Sequence, residues 1–208
     1  MSAPTPNASP TPSPSWPALQ GAGLRAPDGR CLWQDLSLQL GPGLWAVCGD
    51  EGCGKTALLR VLAGDLALTQ GTRSGPWAAW QDLRLPGDDA LRPDEVWQRL
   101  RTHHPSWDAE LAQDLADALG LAPHRDKALF MLSTGTRRKV ALVGLLASGA
   151  PVLALDQPYA ALDRASVGVL REVLQEGAAS PRHAVLVADH EPDPALPWRG
   201  VIRLGAEA

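Results

Sequence analysis

Gly49-Asp50-Glu51-Gly52-Cys53-Gly54-Lys55-Thr56 stands between a short apolar run, Leu44 to Cys48, and a stretch, Lys55 to Ala63, that places Leu58, Leu59 and Leu62 on one helical face. It fits G-x-x-x-x-G-K-[ST], a pattern that a chain of this composition meets by chance roughly 0.002 times. The glycines let successive backbone N–H groups curl around phosphate oxygens. The helix that starts near Gly54 turns its positive end toward the same oxygens. Lys55 can reach the β- and γ-phosphates of a nucleotide, and the Thr56 hydroxyl can ligate Mg²⁺. A buried strand before the loop and a helix after it are the setting this chemistry needs. Gly49, Asp50, Glu51, Gly52, Cys53, Gly54, Lys55 and Thr56 are the candidate nucleotide-binding residues.

Outward from this loop the strand–helix alternation continues. Ser133 to Ala147 reads as a helix and Pro151 to Leu155 as a buried strand. Ala165 to Glu176 reads as a helix, Ala184 to Ala188 as a buried strand and Val201 to Leu204 as a last strand. Asp94 to Arg101 and Asp108 to Leu119 are two more polar helices, the second closed by Gly120. On the other side, Leu32, Leu36, Leu38 and Leu40 alternate with polar residues, as in a half-exposed strand. Gly41-Pro42-Gly43 is a turn. Strands alternating with helices predict an α/β fold with a largely parallel sheet. Asp156 ends one buried strand, where a P-loop nucleotidase holds Mg²⁺ by a carboxylate. Elsewhere, a lone Asp at a strand end is usually a helix cap.

Composition sets the class. The chain has 208 residues, 45% hydrophobic and 20% charged, which is globular. A net charge of −4 argues against a nucleic-acid binder that works by charge. Cys31, Cys48 and Cys53 form no disulfide framework, and a reducing compartment is expected. Val140 to Leu155, the longest uncharged stretch beyond the N-terminus, is too short and too interrupted to span a bilayer. Residues 1–24 carry no charge and are rich in Pro, Ser and Thr. An extended tail is expected over residues 1–18, with a polyproline ligand as the alternative. His103, His104, His124 and His183 lack metal-ligand spacing.

The residues between the two nucleotide motifs narrow the reading. Leu132-Ser133-Thr134-Gly135-Thr136-Arg137-Arg138-Lys139 resembles the LSGGQ signature of ABC ATPases. Gln81 stands where that family has its Q-loop glutamine. Ala161-Leu162-Asp163 resembles the D-loop, and His190 resembles the switch histidine. The ordered set spans about Leu19 to Leu204. The resemblance implies an ABC nucleotide-binding domain over residues 19–208: a P-loop NTPase core with a mostly parallel sheet, an N-terminal antiparallel β-subdomain, and an inserted α-helical subdomain at about 88–147. It implies ATP and Mg²⁺, with Thr56, Gln81 and Asp156 at the metal. Ser133, Gly135 and Thr136 would meet the ATP held by a second such domain, in a homodimer or a heterodimer.

Several positions depart from the family pattern. Gln157 follows Asp156, where the family carries the glutamate that acts as general base. An amide can hold a water but cannot take its proton. The candidate catalytic residues are Gln157, His190 and Gln81, with hydrolysis expected to be slow. Thr134 and Thr136 replace a glycine and the glutamine of the signature. By register, the aromatic residue that stacks on adenine belongs near Ala26 or Pro27, and Trp33 is the nearest aromatic. The eight tryptophans read best as core or interface packing; Trp97 and Trp107 fall in the helical lobe, which in the family docks the membrane partner, and are candidates for that contact. The resemblance implies the ATP-binding subunit of a compact, exporter-like ABC transporter. Such a subunit lies on the cytoplasmic face of the membrane, against a separate permease. The alternative is a soluble ABC-type clamp that dimerises on ATP with little turnover.

Overall fold

The computed structural model describes residues 16–205. The expected tail falls outside the described residues as far as residue 15, and β1 (Ala18–Arg25) begins directly after Trp16-Pro17. β1 pairs antiparallel with β2 (Cys31–Gln39) on one side and β4 (Gln70–Ser74) on the other. This three-stranded sheet packs on the main body through Leu19, Ala22, Leu24 and Trp33.

The main sheet has five strands, all parallel. In chain order they are β3 (Gly43–Cys48), β5 (Ala79–Trp80), β6 (Val152–Asp156), β7 (Ala184–Ala188) and β8 (Trp198–Arg203). Their order across the sheet is β5-β6-β7-β3-β8. α1 (Lys55–Ala63) follows β3 and α5 (Arg164–Ala178) follows β6. A helical lobe is inserted between β5 and β6, formed by α2 (Pro93–His103), α3 (Ala109–Ala118) and α4 (Thr134–Leu146).

The central strands are apolar on both faces because both are covered. Alternation along each strand divides them between two cores. Leu153, Leu155, Val185 and Val187 face α4, α5 and the helical lobe. Val152, Ala154, Ala184, Leu186 and Ala188 face α1 and the antiparallel sheet. Leu58, Leu62, Leu142, Leu155 and Leu186 are fully buried, each such side chain contributing about 1.5–3 kcal/mol. The topology brings the C-terminal ends of β3, β6 and β7 together, the usual ligand edge of a parallel sheet.

Candidate nucleotide site

The loop from Gly49 to Gly54 leaves β3 at this edge and turns into α1. Gly49 has φ 144 and Gly54 has φ 101. A Cβ on Gly49 would strike the Leu204 carbonyl, and one on Gly54 would lie 2.9 Å from the Trp33 indole nitrogen. α1 starts at Gly54 with no side-chain cap, so its first-turn N–H groups are left to an external acceptor. The Lys55 ammonium donates to the carbonyls of Gly49 (2.6 Å) and Asp50 (2.8 Å). Lys55 is buried, held inside the loop rather than in solvent. Arg30, from the β1–β2 turn, donates to the Gly52 carbonyl at 3.2 Å. Cys53 is half-buried, its Sγ 4.0 Å from the Lys55 Nζ.

Thr56 and Asp156 meet across the edge, the hydroxyl donating to Asp156 Oδ2 at 2.6 Å. Burial pushes the Asp156 carboxyl above its usual range, and this outweighs the Thr56 hydroxyl and the cations of Arg138 and Lys55. A desolvated carboxylate beside a hydroxyl is a hard-oxygen pair suited to Mg²⁺. A bound cation would remove the penalty that raises Asp156. These residues fit the metal and the phosphates together.

Gln157 follows Asp156 in a left-handed conformation, φ 45. Its N–H donates to the Ala188 carbonyl at 2.8 Å, while Gly49 N–H reaches the His190 carbonyl at 3.4 Å. The ends of β3, β6 and β7 are laced into one rim, with the His190 side chain exposed at it. A cavity of about 400 Å³ opens beside Thr56, Asp156 and Gln157.

Gln81 is turned away from these residues. It continues β5, so alternation puts Trp80 and Asp82 at the cavity and Gln81 on the opposite face. There its amide donates to the Ala141 carbonyl of α4 at 2.6 Å. Asp82, Arg84 and Arg138 line the cavity instead, and none was singled out from the sequence. For Arg138 a signal existed. Arg137, Arg138 and Lys139 are consecutive on a helix, so 100° steps spread them too widely for one solvent face.

Ser133 caps α4, accepting from the Thr136 N–H at 3.1 Å, and Thr136 Oγ1 lies 2.9 Å from its hydroxyl. Such a cap stabilises a helix by about 1 kcal/mol. A Cβ on Gly135 would strike the Ala161 carbonyl, so only glycine lets the signature approach the 161–163 turn. Lys139 then pairs with Asp163 at 2.7 Å. Ser133, Gly135 and Thr136 do not line the cavity beside Thr56.

The structure overturns Trp33 as the base-stacking candidate, while Trp97 takes the core-packing role that the sequence favours. Trp33 is 8% exposed, packed against Gly54, and offers no free face for a base. Trp97 is 7% exposed, with its indole N–H donating to the Val140 carbonyl at 2.9 Å, and is a core residue of the helical lobe. Trp107 is half-buried.

A family model described as ABC transporter matches residues 33–160. The chain belongs to the ABC transporter family. The cytochrome c biogenesis ATP-binding export protein CcmA of Pseudomonas savastanoi pv. phaseolicola is 36% identical over 177 residues, which is 77% of this chain and 83% of that protein. The protein of the same name from Sphingopyxis alaskensis is 36% identical over 182 residues, covering 83% and 89%. Among solved structures, a putative ABC transporter ATP-binding protein from Pyrococcus furiosus superposes with a TM-score of 0.73. It shares 17% identity and covers 91% of this chain and 98% of its own. The ABC ATP-binding subunit fold, a parallel core with an added antiparallel sheet and a helical lobe, is the one described above.

Proposed function

We propose that this chain is the ATP-binding subunit of an exporter of the cytochrome c biogenesis type, driving a separate membrane permease with slow hydrolysis in its own site. The relatives named above support the transporter class. The observation that carries the slow site is Gln157, placed directly after the Thr56–Asp156 pair at the rim. The backbone N–H groups of residues 49–54 would cradle the phosphates of ATP, and Lys55 would hold the β- and γ-phosphates. Thr56 and Asp156 would hold Mg²⁺, with Gln81 joining only after leaving Ala141. Bound there, Mg²⁺ would neutralise charge on the phosphate oxygens. Gln157 orients the attacking water through its amide and takes no proton, a loss worth about 10²–10⁴ in rate. His190, exposed at the rim, closes on the γ-phosphate side. Ser133, Gly135 and Thr136, at the α4 N-terminus, present donors to the ATP of a second ABC subunit, identical or different. Among the described residues no helix is long and apolar enough to cross a membrane. A peripheral place on the cytoplasmic face, through the permease, is the arrangement we propose, with no nucleic-acid partner.

The test is affinity purification of the tagged chain from detergent-solubilised membranes. A polytopic membrane protein in stoichiometric amount is the expected result. A soluble ATP-dependent dimer with no membrane partner would contradict the exporter. It would favour the regulatory clamp, the second reading that Gln157 allows.

A further inference from the structure

The cavity beside Thr56 and Asp156 contains a buried cation that the chemistry above does not use. Arg138 is 9% exposed and lies on α4, five residues beyond the Ser133 cap. Its Nη2 donates to the Gln157 carbonyl at 3.0 Å and lies 3.5 Å from that of Asp156. Its Nε has no hydrogen-bond partner among the described residues. The charges that face it are the carboxylates of Asp156 and Asp82 and the guanidinium of Arg84. Asp82 is already engaged by Arg84 at 2.6 Å.

Gln157 is a residue that needs such a tie. A left-handed conformation at a non-glycine residue persists only where its surroundings over-determine it. Here the N–H is fixed by β7, and the carbonyl accepts from the local Ala160 N–H at 3.1 Å and, from outside the turn, from Arg138. Arg137, the preceding residue, turns the other way. It donates to the Leu85 carbonyl at 2.9 Å and pairs with Asp89 at 2.6 Å, in the segment that follows Gln81. Two consecutive arginines in the first turns of α4 therefore tie it to two segments, Arg138 to the end of β6 and Arg137 to residues 85–89. The same helix carries Ser133 and Gly135 at its N-terminus.

We infer that Arg138 is a positioning residue of the hydrolytic site, holding residue 157 in its left-handed conformation and tying that placement to the signature end of α4. The inference rests on the assignment of residue 157 to the water-holding position. A contact made by Ser133 with the second subunit's nucleotide is then transmitted along α4 to the residue that faces the attacking water.

The test uses the full chain, with Arg138→Met and Arg138→Lys made in both the unaltered and the Gln157→Glu backgrounds. Arg171→Met is the control, because Arg171 pairs with Asp193 and does not line this cavity. Steady-state Mg-ATP hydrolysis and amide hydrogen exchange over residues 157–161 are read together. In the Gln157→Glu background, Arg138→Met should lower kcat roughly 10- to 100-fold, with KM held within about twofold. Arg138→Lys should recover part of that loss. In both backgrounds Arg138→Met should speed exchange over 157–161 by roughly fivefold or more, with Arg171→Met leaving it unchanged. Unchanged exchange, an equal kcat loss in Arg171→Met, or a lysine variant no better than methionine would each overturn the inference. A Gln157→Glu chain no faster than the unaltered one would instead remove the water-holding role of residue 157, and the exchange result alone would then decide whether Arg138 holds it.

Discussion

Gly54 shows how tightly the loop constrains single residues. Its φ of 101 is left-handed, and the Trp33 indole occupies the space a side chain would need. Left-handed strain costs about 1–3 kcal/mol at a non-glycine residue. Gly54→Ala should therefore lower the thermal unfolding midpoint by roughly 3–10 °C and weaken Mg-ATP binding as the loop shifts. An unchanged midpoint with unchanged binding would show that the loop has slack. Gly49, Gly54, Lys55 and Thr56 stand out in the sequence because each has a backbone or phosphate reason to be its type. Gln81 and Arg138 were not legible in the same way. Which face Gln81 takes depends on how far β5 extends before the chain turns, and no spacing records that. For Arg138, helical spacing says that the three consecutive cations cannot share one solvent face, but only packing shows which of them is buried.

Elements were readable where burial leaves a continuous apolar signature. β6 and β7 are five-residue apolar strands buried on both faces, and α1 carries its leucines at helical spacing and stops at Gly64. β4 was silent because Gln70-Gly71-Thr72-Arg73-Ser74 is a polar edge strand with mostly exposed side chains. β5, at two residues, is too short to show alternation. α5 begins one residue earlier than its pattern suggests, because Asp163 caps it by accepting from the Ser166 N–H at 2.9 Å. The hydrogen bond from Lys139, then those from the Ser166 amide and hydroxyl, hold the Asp163 carboxyl well below the usual carboxylate range. Lowering the folded pKa makes the ionised form stabilising. That contribution is complete above the unfolded value of about 4 and is lost as pH falls through the folded value. Asp163→Asn keeps a capping residue but loses the ion pair that joins α4 to α5. Urea unfolding should show the variant less stable at pH 7, with the gap narrowing toward pH 3. A gap as large at pH 3 as at pH 7 would mean that the charge contributes nothing.

At the scale of the whole molecule, the fold separates the candidate nucleotide residues into two groups. Lys55, Thr56, Asp156 and Gln157 share one edge of the parallel sheet, while Ser133 and Gly135 stand at the tip of α4 and do not line that cavity. In the function we propose, such a chain completes its site against a second ABC subunit. With Mg-ATP the unaltered chain should sediment at twice its 22.0 kDa mass, and the dimer should persist because turnover is slow. Sedimentation as a monomer at every ATP concentration would contradict a homodimer and leave the site to be completed by a different ABC subunit. The α/β class was readable from the chain because strands and helices alternate. The partition of the strands between two cores was not, since a strand buried on both faces hides its own alternation. The most direct measurement is steady-state Mg-ATP hydrolysis by the unaltered chain beside Gln157→Glu, at concentrations that allow dimerisation. The glutamate variant should be faster by roughly 10²–10⁴-fold; equal rates would contradict the claim that Gln157 holds this site in its binding state.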